Sequence, residues 1–125
     1  MKNKLIDFLI TLKNASRANK RVLYRNFDKV EASILQILYK EGLIQSYNSF
    51  YSDRVKLSKI ILGSSYKLNF LKIISKPTKK ISLNLKDLYK IKEGKRVVVL
   101  TTSLGFLTGM EAKRKKVGGI VLFMC

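Results

Sequence analysis

The clearest signals in this chain lie at its C-terminal end, where residues Val97 to Cys125 run VVVLTTSLGFLTGMEAKRKKVGGIVLFMC. The first four residues are apolar, which predicts a buried strand. Three hydroxyl side chains follow at once: Thr101, Thr102 and Ser103. Because a hydroxyl both donates and accepts hydrogen bonds, this cluster suits phosphate oxygens, base edges or a ribose 2′-OH. A hydrogen-bonded turn without a ligand is the structural alternative, and both interpretations stay open on the residues alone.

The rest of this stretch predicts a turn, a short basic helix and a last strand. Gly105 allows a tight turn with positive φ. Thr108 and Glu111 have the spacing of a capping box, and the free N–H groups of a helix N-terminus suit an anion. Thr108 is therefore a candidate binding residue. The basic run Lys113 to Lys116 fits either contact with RNA or simple stabilisation by the helix macrodipole.

The charge of the chain favours a polyanionic partner. Its 125 residues include 26 Lys and Arg against 8 Asp and Glu, a formal net charge of +18. A net charge of about 2–8 already keeps a small domain soluble, so this excess calls for another explanation. Such a field attracts nucleic acid and opposes self-association. No recognition helix rich in Arg, Asn or Gln is evident, which favours structured RNA over the DNA major groove.

The chemistry-bearing residues argue against an enzyme. The chain has no His and a single Cys, the terminal Cys125, so the usual general base and a Cys-based metal site are both missing. Ser103 lacks the glycine frame of a nucleophile elbow, and no phosphate-loop or dinucleotide glycine pattern occurs. We therefore expect no catalytic residue, no cofactor, no metal and no small-molecule substrate.

The N-terminal part begins with an amphipathic helix, predicted from Asn3 to Ser16, whose apolar stripe indicates core packing. The end of this helix is polar and basic. Around the stretch from Asn14 to Arg21, the clustered cations Lys13, Arg17, Lys20 and Arg21 are candidates for phosphate contact. A solvated basic face is the alternative interpretation. The N-terminus resembles a signal peptide only loosely, since Asp7 interrupts the apolar run, and we expect no removable leader and no membrane span.

The remaining elements are predicted from periodicity, caps and turns. They are a strand at Val22–Tyr24, a helix from the Asp28 cap to Gly42, a hairpin of Leu43–Tyr47 and Arg54–Ile60 around a turn at Asn48–Asp53, alternating strands at Tyr66–Phe70 and Ile81–Leu85, a turn at Ser75–Thr78, and a helical turn at Asp87–Ile91. Gly63 to Ser65 is the best candidate boundary. The sequence thus predicts an α+β fold of two lobes, residues 1–63 with order α-β-α-β-β and residues 64–125 mainly antiparallel β with one short helix.

Landmarks along the whole chain resemble one family. Thr101 to Thr108, then Glu111-Ala112 and Gly118-Gly119, are similar to the C-terminal signature of ribosomal protein eight of the small subunit. Upstream landmarks follow in the same order: Asp7-Phe8-Leu9, Lys13-Asn14, Asn19-Lys20, Lys40 to Ile44 and Ser75-Lys76-Pro77. Each alone is weak, but together and in order they are specific.

The resemblance implies a two-lobed, non-catalytic protein that binds the central domain of small-subunit ribosomal RNA and lies beside other ribosomal proteins. It implies that Thr101, Thr102, Ser103 and Gly105 form the RNA-contacting turn. It adds Asn14, Lys20 and Lys76 as positions that face RNA.

Departures from the family pattern indicate a divergent member. Leu104 stands where the family usually has Lys, and Ile120 where it has Glu. With the early match at Asp7 and Lys outnumbering Arg, they favour an organelle-encoded, mitochondrial protein; a plastid or the bacterial cytoplasm is the alternative. The competing functions are a generic polyanion binder, a protein docking on an anionic membrane surface, and an RNA-processing enzyme.

Overall fold

The computed structural model describes residues 2–63, 67–74, 81–90 and 97–125. The chain divides into two compact units, residues 3–70 and residues 71–125. Each contains an antiparallel sheet with helices. The predicted α+β class is therefore confirmed. Ser64 and Ser65, on which the predicted boundary depends, lie outside the described residues, so a division at that point stays a prediction.

The first unit has the element order α-β-α-β-β that the sequence predicts. Its elements are α1 (Lys2–Arg17), β1 (Val22–Asn26), α2 (Lys29–Lys40), β2 (Ser46–Ser52) and β3 (Val55–Ile61), followed by a 3-10 helix, Lys67–Phe70. The strands form an antiparallel sheet in the order β1-β3-β2. The largest buried side chains of this unit come from both helices and β3, among them Phe8, Leu12, Ile34, Leu38 and Ile60.

Both ends of α2 are where the sequence predicts them. The Asp28 side chain accepts hydrogen bonds from the N–H groups of Val30 and Glu31 and so caps the N-terminus. At the other end, the Gly42 N–H donates to Tyr39 O while the Leu43 N–H donates to Leu38 O. This is a Schellman motif with Gly42 at the left-handed position, φ +74°.

The hairpin of β2 and β3 is confirmed, but its turn is shorter than predicted. Asn48 to Ser52 continue β2, and only Asp53 and Arg54 connect the strands, with φ values of +49° and +69°. Two left-handed residues in succession make a type I′ turn, whose twist matches that of the strands. Asp adopts the left-handed conformation readily, so Asp53 was a signal for a two-residue turn. The sequence analysis predicted the longer turn Asn48–Asp53 instead.

The second unit is built around its terminal strand. Its elements are β4 (Lys72–Ile73), β5 (Ser82–Leu83), α3 (Leu85–Lys90), β6 (Val98–Thr102), β7 (Gly105–Thr108), α4 (Gly109–Lys115) and β8 (Gly119–Met124). The sheet runs β4-β8-β6-β7, and β5 also pairs with β8. Val98, Leu100, Leu107, Ala112 and Val121 form the core.

Three predictions of local structure were wrong or incomplete. The alternation at Leu68 and Phe70 predicted a strand, yet these residues belong to the 3-10 helix, with Leu68 buried and Phe70 exposed. Gly105 to Thr108 form a strand that the sequence analysis did not predict. The single helical turn predicted at Asp87 is part of a longer helix, α3. The second unit therefore has two described helices, α3 and α4, where the sequence predicted one. The turn predicted at Ser75 to Thr78, with Lys76, lies outside the described residues.

No helix in the part of the chain that the structure describes is both long and apolar enough to cross a membrane.

Candidate RNA interface

The hydroxyl cluster lies on the hairpin of β6 and β7. Thr101 pairs with Phe106 and Thr102 with Gly105, so Ser103 and Leu104 form the two-residue turn. Gly105 has φ +106°, and a Cβ placed on it would meet no atom within 4 Å. The glycine is therefore needed for its backbone conformation and not for space.

The three hydroxyls have different surroundings. Thr102 Oγ1 donates to Gly105 O at 2.9 Å and accepts from the Leu104 N–H at 3.1 Å. These two bonds hold the turn together. Thr101 is half-buried between β7 and β8. Ser103 is exposed at the tip and makes no recorded hydrogen bond to the described residues. Within this cluster, Thr102 therefore stabilises the turn, whereas Ser103 is exposed to solvent.

The Gly118-Gly119 pair determines how closely the last strand approaches this hairpin. A Cβ on Gly119 would clash with Thr101 O and would lie 2.8 Å from Thr102 Cγ2. A Cβ on Gly118 would lie 2.5 Å from Leu83 O and 3.0 Å from Asn84 Cα. Both glycines are therefore required by close packing, since real Cβ atoms do not approach backbone so closely.

Asn84 caps the start of α3. The exposed Asn84 accepts from the Asp87 N–H at 2.9 Å, and its own N–H donates to Asp87 at 3.3 Å. Asn followed three residues later by Asp is a helix-start signal, so the cap was detectable. Gly118 lies against Asn84 and Gly119 against Thr101, but β8 separates these two residues, because β5 and β6 pair with it on opposite sides.

Thr108 serves α4 and is only 5% exposed. Its hydroxyl accepts from the Glu111 N–H at 3.2 Å, and Glu111 Oε1 lies 3.4 Å from the Thr108 N–H, which confirms the predicted capping box. The binding of an external anion at this helix N-terminus stays a prediction. The Glu111 carboxylate lies at the same N–H groups and would compete with such an anion.

The other end of α4 is strongly basic. Arg114, Lys115 and Lys116 are exposed, and Lys116 ends the helix in a left-handed conformation, φ +56°. Cations at this end are favoured by the helix macrodipole, and they also present positive charge to solvent. Both interpretations from the sequence remain compatible with this placement.

The N-terminal candidates lie together at the C-terminal end of α1. Asn14, Arg17 and Lys20 are exposed, and Lys13 is half-buried one turn before Arg17 on the same helix face. Asn19 ends the helix at φ +57°, with the Lys20 N–H donating to Ala15 O. Like charges at this spacing repel one another, so an anion that binds between them relieves the repulsion.

Acidic side chains are paired near the opposite end of α1. Arg25 Nε donates to Glu31 Oε1 at 2.9 Å, and its guanidinium also lies near Asp7 and over the Phe8 ring. Lys4 Nζ lies 2.8 Å from Asp28 Oδ2. The hydrogen bond from Lys4 is the main cause that lowers the pKa of Asp28, and the same bond raises the pKa of Lys4. These pairs leave the positive potential of α1 concentrated at its basic end.

A comparison with known proteins identifies the family of this chain. The family model described as ribosomal protein S8 matches residues 3–125. This chain belongs to the ribosomal protein S8 family. That family consists of ribosomal structural proteins and not of enzymes.

Individual relatives in the S8 family match along almost the whole chain. The small ribosomal subunit protein uS8 of Borrelia turicatae is 35% identical over 117 residues, covering 90% of this chain and 89% of the relative. The protein of the same name from Streptococcus sanguinis is 32% identical over 126 residues, covering 98% and 96%. Both organisms are bacteria, and the predicted mitochondrial assignment has no support among these relatives.

Proposed function

We propose that this protein is a structural constituent of the small ribosomal subunit, where it binds and orders the central domain of the ribosomal RNA. Membership of the S8 family supports the ribosomal role. The observation that carries the RNA contact is the exposed Ser103 hydroxyl on a turn that Thr102 holds by two hydrogen bonds. A group fixed before binding loses little entropy when it binds, so it can discriminate between RNA sites.

The proposal involves two kinds of contact with RNA, one that gives specificity and one that gives affinity. Ser103 pairs with a base edge or a 2′-OH, while Thr102 and Gly105 keep the turn in shape. The exposed cations Arg17, Lys20 and Arg114 neutralise phosphates, which adds affinity without sequence information. Lys13 and Asn14 add RNA contacts at the basic end of α1, and Thr101 adds one beside the turn of β6 and β7. Lys76 remains a phosphate-binding prediction. Thr108 contributes indirectly, through the cap of α4.

The test measures binding of the whole protein to a central-domain RNA fragment and to an unrelated hairpin across a salt series. Ser103→Ala should lower the preference for the cognate fragment by about tenfold, the value of one lost hydrogen bond, while the salt slope stays unchanged. Thr102→Val should lower the preference and also the stability, by about 1 kcal/mol, because it removes both bonds of the turn. Ser33→Ala, at an exposed serine of α2, is the matched control.

Equal binding of both RNAs by the unaltered protein would contradict the proposal and favour a generic polyanion binder. Co-sedimentation with anionic liposomes in the absence of RNA would favour the membrane alternative. RNA turnover that Ser103→Ala abolishes, with binding retained, would favour an enzyme.

The compartment follows from the type of ribosome. We infer a ribosome of the bacterial type, because the matched relatives come from bacteria. Among the three predicted locations this favours the bacterial cytoplasm over the mitochondrion and the plastid. Locating the gene on a bacterial chromosome or on an organellar genome decides between them.

A further inference from the structure

The first unit has one sheet face that none of its described elements covers. In the antiparallel register of β1, β3 and β2, alternate residues share a face. We call one set the outer face. Its eleven residues are Val22, Tyr24, Asn26, Ser46, Asn48, Phe50, Ser52, Val55, Leu57, Lys59 and Ile61.

The helices lie against the opposite face. Arg25, on that side of β1, contacts Glu31 of α2 and the Phe8 ring of α1, and Ser58 and Ile60 of β3 are buried there. On the outer face, by contrast, Val22, Tyr24, Phe50 and Val55 are all exposed. Large apolar side chains therefore face solvent together on one side of the sheet.

The outer face is poor in charge, unlike the rest of the chain. Charged residues make up 27% of the protein, yet Lys59 is the only one among the eleven. Lys59 is half-buried at the centre of the face, directly between Tyr24 on β1 and Asn48 on β2. The Tyr24 and Phe50 rings meet edge to face across the central strand, with centroids 6.2 Å apart.

These features fit a protein partner better than RNA. The cores of protein interfaces are depleted in charge and enriched in aromatic residues. A phosphate backbone needs several cations, as the basic end of α1 provides within a few residues and the outer face does not. A second copy of this chain is disfavoured, because a two-fold contact would bring two Lys59 side chains together between molecules of charge +18.

We propose that the outer face docks a neighbouring protein of the small subunit, by a segment that packs apolar side chains on Tyr24 and Phe50 and places one carboxylate against Lys59. The proposal rests on the proposed function in one respect, namely that the chain enters the subunit. Electrostatic complementarity supplies the choice of a carboxylate, since a desolvated lysine needs an opposite charge.

The size of the face indicates where this docking takes place. Three strands about 4.8 Å apart and up to seven residues long, at about 3.3 Å each, give a surface of roughly 300 Å². Stable interfaces bury about 800 Å² per partner, so this face alone holds a partner weakly. The partner binds firmly once the RNA holds both proteins at a high effective concentration. The assembled subunit, and not a binary mixture, is therefore the right object for the test.

The first experiment places a photoreactive benzoylphenylalanine at position 24 of the full chain. The protein is assembled with bacterial small-subunit RNA and the complete set of small-subunit proteins, then irradiated and digested. The expected product is an adduct with another ribosomal protein. The matched control carries the same group at Tyr39, which is 53% exposed against 56% for Tyr24 but lies on α2. It should not crosslink to the same peptide.

The second experiment measures how firmly variants stay in the assembled subunit. The double variant Tyr24→Ser, Phe50→Ser should lower retention about tenfold or more, while its affinity for the naked RNA fragment stays within about twofold. Lys59→Glu should lower retention similarly, and Lys59→Arg should restore it. Tyr39→Ser is the control. Since Tyr24, Phe50 and Tyr39 are exposed and Lys59 is only half-buried, unfolding curves should be nearly unchanged.

Each other outcome overturns the inference. An adduct with RNA, or loss of RNA affinity in the double variant, makes the outer face an RNA surface. A crosslinked dimer of the free protein makes it a self-association surface, and no adduct at all in the assembled subunit leaves it bare. If the unaltered protein does not enter the subunit at all, the proposed function fails as well. If it enters the subunit but gives no protein adduct, only the docking inference fails. The two failures are therefore distinguishable.

Discussion

The turn from Thr101 to Gly105 and the basic end of α1 hold their polar groups in different ways. In the turn, Thr102 bonds to its neighbours and Gly119 packs against the backbone, so the position of Ser103 is fixed. At the end of α1, Arg17 in the last helical turn and Lys20 just beyond it are exposed to solvent. A fixed hydroxyl can discriminate between RNA sites, whereas a solvent-exposed cation attracts any phosphate. The proposed function therefore assigns specificity and affinity to different regions of the molecule.

The largest effect should come from breaking the fixed region through its backbone contact. Gly119→Ala places a methyl group against Thr101 O and Thr102 Cγ2, neither of which can move without disturbing the pairing of β6 and β8. Overpacking of this kind costs about 2–3 kcal/mol in unfolding free energy. Urea denaturation measures this loss, and the preference for cognate RNA should fall with it.

Gly109→Ala is the matched control for this prediction. A Cβ at Gly109 would meet only Val98 Cβ, at 3.8 Å, which is an ordinary contact. Its stability and RNA preference should stay close to those of the unaltered protein. Equal losses in both variants would mean that the close approach of Gly119 has no special importance.

An intermediate effect should come from removing charge at the basic end of α1. The double variant Arg17→Ala, Lys20→Ala should weaken binding to cognate and unrelated RNA alike. Two lost phosphate contacts should lower the slope of log K against log salt by about 1.4–1.8. The preference between the two RNAs should be unchanged.

The control for this variant removes the same charge elsewhere. Lys29→Ala, Lys40→Ala takes two cations from the ends of α2 and should change the salt slope less. A change in RNA preference in the Arg17 and Lys20 variant would assign specificity to α1 and contradict the division between the two regions.

The smallest effect concerns the ion pair near the start of α1. Folding lowers the pKa of Asp28, so its contribution is present above the ordinary aspartate value and is lost as the pH falls through the lowered one. Asp28→Asn keeps a side-chain oxygen for the cap but removes the charge, so the stability should fall less steeply under acid. Asp28→Ala should cost a further ~1 kcal/mol by removing the cap. Unfolding curves at several pH values measure both, and an unchanged acid slope in Asp28→Asn would exclude this pair as its cause.

Local signals predicted much of the fold correctly. The Asp28 cap, the Gly42 end of α2 and the capping box of Thr108 and Glu111 each depend on atoms within about four residues of one another. The elements that were missed depend on partners farther away. Gly105 to Thr108 become a strand because they pair with β6, and the buried Leu68 lies in a 3-10 helix instead of the predicted strand.

The site was predicted as a set of residue types but not as an arrangement. The sequence identified Thr101, Thr102 and Ser103 as one cluster with equal roles. The structure distinguishes them and assigns Thr108 to the interior. It also adds the outer face of the first sheet, which has no compact sequence signature. Those features depend on strand register, which hydrogen bonds between distant segments set.

By itself, the sequence of this protein determined its α+β class, its polyanion-attracting charge, its family resemblance and the caps of its helices. These follow from composition and from interactions between near neighbours in the chain. Only the tertiary structure decided which hydroxyl faces solvent, why Gly119 must have no side chain, and which sheet face remains uncovered. Each of these depends on distances between segments far apart in sequence, and close packing, not local preference, sets those distances.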